Sequence, residues 1–121
     1  MKQERIFVAY KLLERLNRTK GLPFGMCVQL YKVKETLRPY YEAQKEKEMV
    51  LFEAAGIDEN GNVMMTAELK KSLADIMKTD VDFTVEPVQI SITQDEADKL
   101  GLTAEIIEQL DGFIEFVEVV A

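Results

Sequence analysis

The stretch PFGMCVQLYKVKETLRPYYEAQKEKEMVLFEAA, Pro23 to Ala55, decides how this chain folds. Its residues Leu30, Val33, Leu37, Tyr40, Gln44, Lys47, Leu51 and Ala54 fall on alternating steps of three and four, the spacing of a coiled-coil seam. Two of these seam positions, Gln44 and Lys47, are polar, as buried residues that select register in self-association can be. A straight helix of this length runs about 50 Å at about 1.5 Å per residue. A compact domain of this size is only about 35 Å across if its radius of gyration is about 14 Å. Pro39 offers one resolution, because it removes the hydrogen bond to the Glu35 carbonyl and crowds that turn, at a cost of about 3 kcal/mol. The other is a continuous helix that protrudes and packs against a second chain.

Upstream, Ile6, Ala9, Tyr10, Leu13 and Leu16 recur at helical spacing, with Lys11, Glu14 and Arg15 opposite them. Gly21 supplies a turn and Pro23 can open the long helix, so the N-terminal part reads as a helical hairpin. Downstream, Gly56 ends the long helix. Asn60-Gly61 then suits the two positive-φ positions of a tight hairpin through Ile57 and Val63 to Met65. Thr66 caps a third helix with Leu69, Leu73, Ile76 and Met77 on one face.

From Val81 the period changes to two. Val81, Phe83 and Val85 alternate with polar residues, and Val88, Ile90 and Ile92 resume after a slip of phase at Glu86-Pro87 that calls for a bulge or bend. Thr93-Gln94-Asp95-Glu96 is a capping box for a short helix ending near Gly101, and Thr103 caps another carrying Ile106, Ile107 and Leu110. Residues 113–120 are β-branched enough for a strand beside the first, although Leu110, Phe113, Ile114 and Val117 would also continue a helical face; Gly112 favours the strand. The expected fold is α+β: an N-terminal helical hairpin with a long helix, kinked at Pro39 or not, packed with a small C-terminal β-sheet and short helices. One domain spans residues 1–121, helical over about 4–78 and acidic and strand-containing over about 80–121.

The composition, 47% hydrophobic and 31% charged, is that of a globular domain. No run approaches the roughly 18 apolar residues of a membrane span, and the start, Met1-Lys2-Gln3-Glu4-Arg5, is not a signal peptide, so a cytoplasmic location and no membrane partner are expected. With no His and one Cys, the chain cannot build a His or multi-Cys zinc site, a Ser-His-Asp triad or a Cys-His pair from its own residues. Cys27, in an apolar stretch, is expected to be buried. Asp58 to Asn62 imitates the start of a calcium loop, but its sixth position is Val63 and its twelfth Leu69. Asp95 and Glu96 are accounted for by helix capping and the helix dipole, and no carboxylate pair stands out as a dyad. A non-enzymatic protein with no cofactor and no metal is expected. Met49, Met64, Met65 and Met77 suit either an adaptable contact surface or gap-filling in the core.

Charge is laid out unevenly: residues 1–48 hold 11 Lys/Arg and 6 Glu, residues 49–121 hold 4 Lys and 16 Asp/Glu. Arg15, Arg18 and Lys20 could meet Lys32, Lys34 and Arg38 across the hairpin as a basic face for nucleic acid. Glu105, Glu108, Asp111, Glu115 and Glu118 would line one side of a continued helix, an acidic face able to imitate a phosphate backbone. Both can equally be solvated surface.

The order of these elements, with Leu22-Pro23 leading into the long charged helix, Gly56-Ile57-Asp58-Glu59-Asn60-Gly61-Asn62, the Thr66-capped helix and the ending Leu102-Thr103-Ala104-Glu105-Ile106-Ile107-Glu108-Gln109-Leu110, resembles a family of small tailed-bacteriophage proteins, also seen in prophages, catalogued as a domain of unknown function. The resemblance implies a phage or prophage origin and a bacterial cytoplasm, and carries no active site. The expected function is a phage-encoded protein–protein interaction protein that binds itself, as a homo-oligomer through the long helix, or a host or phage protein. The alternatives are an acidic inhibitor or nucleic-acid mimic aimed at a host nucleic-acid enzyme, and a nucleic-acid-binding accessory protein using the basic helices.

Overall fold

In the computed structural model, which describes residues 1–120, helix α1 (Gln3–Leu16) lies antiparallel to α2 (Phe24–Ala55), Gln3 meeting Gln44 near one end and Tyr10 meeting Lys34 further along. The stripe Ile6, Ala9, Tyr10, Leu13 and Leu16 of α1 is buried against Met26, Leu30, Val33 and Leu37 of α2. The first turn of α1 has no side-chain cap; the chain supplies one from a distance, as the Gln3 N–H donates to the Thr79 carbonyl at 2.9 Å. Residues 1–3 are thereby sewn to 79–81, where the Val81 N–H also donates to the Met1 carbonyl at 2.7 Å.

Helix α2 runs continuously through Pro39 and is not split there. Pro39 sits on the exposed side, where water can satisfy the freed Glu35 carbonyl. Because α1 reaches only to Gln44, the residues from Lys45 to Ala55 project about 16 Å beyond it at about 1.5 Å per residue. This overhang is clad by α3 (Ala67–Lys78), whose single buried residue is Leu69. The Asp58 carboxylate accepts from the N–H groups of Asn60 and Asn62, and Gly61 takes φ +80°, closing the turn between Ile57 and Val63. Within residues 58–62 only Gly61 has positive φ, so the expected tight two-residue hairpin is replaced by a three-residue loop with a left-handed glycine.

The sheet is smaller than the period-two pattern suggests. Strand β1 is Val88–Ile92 alone, and residues 81–87 form no strand: the Phe83 N–H donates to the Val81 carbonyl at 2.8 Å in a tight turn, while Val81, Phe83 and Val85 rest on the core. Alternate apolar residues thus reach the core without strand pairing, and Pro87 has no N–H to offer, so the ladder starts at Val88. Helices α4 (Gln94–Leu100) and α5 (Ala104–Leu110) follow, each opened by its threonine, Thr93 with the full capping box and Thr103 through its hydroxyl. Gly101, at φ +66°, closes α4. Residues 114–118 form β2 (Ile114–Glu118), parallel to β1 with Val88 opposite Ile114 and Ile92 opposite Glu118. Ile90, Ile92, Phe113 and Ile114 complete the core against the hairpin, giving the α+β arrangement.

Candidate functional site

The seam of α2 divides in two. Leu30, Val33 and Leu37 are buried inside the chain against α1 and the sheet, and so are not available to a second copy. Tyr40 packs edge-on against Phe83 at 4.6 Å. Gln44, 1% exposed, accepts from Gln3 Nε2 at 2.9 Å and donates to Glu48 at 3.0 Å; Lys45 closes the network on Glu48 at 3.1 Å. Its expected role in selecting a partner's register is therefore taken by register within the hairpin. Beyond Gln44 the buried line passes to Glu48, leaving Lys47 exposed. A straight helix drifts about 20° per heptad from a 3.5-residue repeat, which moves the line off the seam after two heptads.

The remaining seam residues face outward. Lys47 and Leu51, with Val50, form one wall of a groove of about 430 Å³ whose other wall is Ser72, Asp75 and Ile76 of α3. Leu51 and Ala54 border a second hollow with Thr66 and Leu69. Around the same end Met49, Val50, Ile57, Met64 and Met65 are exposed, Val50 at 65% and Ile57 at 68%. Of the four methionines weighed above, Met49, Met64 and Met65 lie open here, while Met77 is half-buried on α3.

Of the six residues of the expected basic face, Arg38 and Lys34 are drawn to groups of their own chain. Arg38 grips both carboxylate oxygens of Glu35 at 2.8 and 2.7 Å and reaches Glu42 at 3.6 Å, holding the Glu35 carboxyl below its ordinary range and its own guanidinium above. Lys34 lies over the Tyr10 ring at 5.9 Å. Burial raises the Tyr10 hydroxyl, and the stack continues as Tyr41 at 4.1 Å, which Lys11 and Lys45 also overlie. Arg15, Arg18, Lys20 and Lys32 make no ion pair among the described residues.

The acidic residues do not form a continuous helical face, because α5 stops at Leu110 and the chain turns at Gly112, φ +87°. Glu105 and Glu108 face Glu4 and Arg5 of α1 across a polar hollow of about 390 Å³. Arg5 leaves those carboxylates for the Asp111 carbonyl, at 2.6 Å, and the Phe113 ring. Glu115 and Glu118 lie on β2, Glu115 touching Gln89 at 3.4 Å. Cys27 is exposed and not buried as expected, since the apolar run around it is wrapped on a helix that turns Cys27 outward and Met26 inward.

Among the described residues no group of three or more His, Cys, Asp or Glu side chains is placed to hold a metal ion, and no helix is long and apolar enough to cross a membrane. The overhang of α2 and α3 gathers several exposed apolar side chains beside a groove, and the seam spacing points to its α2 wall but not to the contribution of α3. Compared with models of protein families, with curated proteins and with solved structures, the chain matches none.

Proposed function

We propose that this chain is a non-enzymatic protein–protein interaction module that pairs with a second copy of itself through the overhang of α2 and α3. The phage or prophage origin implied by the resemblance, and work in a bacterial cytoplasm, belong to the same proposal. The observation that carries it is the groove between Lys47, Val50 and Leu51 on one wall and Ser72, Asp75 and Ile76 on the other, with Met49, Ile57, Met64 and Met65 exposed elsewhere on the same end of the fold. Exposed apolar side chains gathered at one end of a fold mark contact surfaces. Its charges suit a two-fold pairing, because each copy offers one cation and one anion, and a symmetric contact sets Lys47 of one against Asp75 of the other. Unbranched methionine side chains adapt to such a surface.

The test is molar mass by sedimentation or light scattering across protein concentration, with the V50D variant beside the wild type. The wild type is expected at twice the monomer mass of 13.8 kDa and V50D at the monomer mass with unchanged helical content. A wild type that stays monomeric at every concentration overturns the proposal.

A further inference from the structure

The two strands do not share their exposure. The Val88 N–H donates to the Phe113 carbonyl at 3.0 Å and the Val119 N–H to the Ile92 carbonyl at 2.9 Å. With Val88 opposite Ile114 in a parallel ladder, the main-chain groups of residues 113, 115, 117 and 119 point at β1, and those of Ile114, Phe116 and Glu118 point the other way. On the β1 side α2 lies close, and Gln29 Nε2 donates to the Gln89 carbonyl at 3.3 Å. On the β2 side no main-chain or side-chain group among the described residues answers Phe116 or Glu118. An isolated two-stranded parallel ladder is rare, because such sheets normally gain further strands.

Natural edges are blunted by charged side chains, above all Lys, by Pro, by bulges or by a covering element. The strand Ile114-Glu115-Phe116-Val117-Glu118 has no Lys, Pro or bulge. Its charged side chains are Glu115 and Glu118, which guard the edge against a strand of like charge, and its continuation Val119-Val120 is exposed. Those carboxylates decide among occupants. Two β2 edges brought together would crowd Glu115 and Glu118 of both copies onto one sheet, in a region where Lys99 is the only cation against eleven acids from Asp80 onward. A cationic strand meets the opposite sign.

We propose that the free edge of β2 takes up an extended segment of another protein, in which Lys or Arg alternates with apolar residues, as a third strand. Alternation follows from the two faces of the sheet. Beside Phe116, on the core face, a groove of about 290 Å³ is lined by Ile92, Ala97, Leu102 and Ile107 and also by Thr93, Gln94 and Glu118, and its apolar part receives the apolar side chains. On the solvent face Glu115 receives the basic ones. Main-chain bonds give the affinity and the alternate side chains the selection. This surface is separate from the α2–α3 overhang, so the two proposals stand or fall independently.

The probe is the capped heptapeptide Lys-Val-Lys-Val-Lys-Val-Lys, titrated into the ¹⁵N-labelled full chain with amide exchange followed by NMR. The expected result is a shift of the β2 resonances and exchange at the Phe116 amide slowed at least about tenfold. The variant E115K, which reverses the charge on the face that takes the basic side chains, should weaken binding at least about threefold. The variant E118P should lose it while the rest of the spectrum is kept, because that N–H is not used by β1. The proposal is overturned if the peptide leaves residues 114–118 unmoved, or if a peptide N-methylated at alternate nitrogens binds as well, which shows charge attraction only. Protection of the Phe116 amide without peptide, lost on dilution, overturns it in favour of a second copy.

Discussion

The carboxamides of Gln3 and Gln44 meet at 2.9 Å between α1 and α2, with Gln44 in turn donating to Glu48. Replacing Gln44 by Leu leaves the Gln3 amide and the Glu48 carboxylate short of a partner, and an orphaned buried polar group costs about 1–3 kcal/mol. Urea unfolding of Q44L is expected to show a loss of that size. The Q3L/Q44L double variant should lose less than the sum of the two single changes, since the donor is removed along with its acceptor.

Aspartate at the two halves of the α2 seam should give opposite phenotypes. Leu37 is fully buried, so L37D places a charge in the core and is expected to abolish the cooperative unfolding transition. Val50 is exposed, and V50D, compared at a protein concentration low enough that the wild type is also monomeric, should keep the melting temperature within a few degrees of the wild type, a shift that corresponds to about 1 kcal/mol or less. Circular dichroism melts of the two variants separate these outcomes.

Pro39 lies in the middle of a continuous helix and on its exposed side. Alanine there restores a main-chain donor to the Glu35 carbonyl and removes the ring's crowding, which in helix interiors is worth up to about 3 kcal/mol. P39A is expected to raise the urea midpoint. A drop would mean that α2 relies on the turn geometry the proline imposes.

Glu35 carries a pH signature. The hydrogen bonds from Arg38 hold its folded-state carboxyl below the ordinary value of 4.5, so the contact contributes stability at pH above that value and loses it as pH falls through the lowered one. Wild type and E35Q should therefore differ by a constant margin at neutral pH, and the margin should shrink below about pH 4.5 and vanish in stronger acid. Both side chains are partly solvated, which keeps the effect small and makes it fade with added salt.

Local signals carried most of the fold. The threonine caps at Thr66, Thr93 and Thr103, the left-handed glycines at Gly56, Gly61 and Gly101, and the stripe from Ile6 to Leu16 each mark a boundary or a face by chemistry confined to a few neighbours. Where partners are distant the reading stopped short. Residues 81–87 alternate like a strand without forming one, and nothing near Lys2 announces that Thr79 will cap its helix. The α2 seam looked uniform because periodicity cannot show where α1 ends, and the free edge of β2 depends on a pairing register that only the folded sheet defines.

The stitch between residues 1–3 and 79–81 bears on how the protein comes off the ribosome. Synthesis is vectorial, and the amino-terminal elements emerge first. The α1–α2 hairpin can pair as soon as α2 is clear of the exit tunnel, yet the leading turn of α1 waits for the Thr79 carbonyl, and Ile90 waits longer, until Phe116 arrives beside it. A nascent chain that ends at Lys78 thus holds a hairpin open at one end, with Leu30 and Leu37 shielded on the α1 side only. Residues 79–120 act as a closing clasp, so a frameshift or a stalled ribosome after α3 would release a chain with its core laid bare.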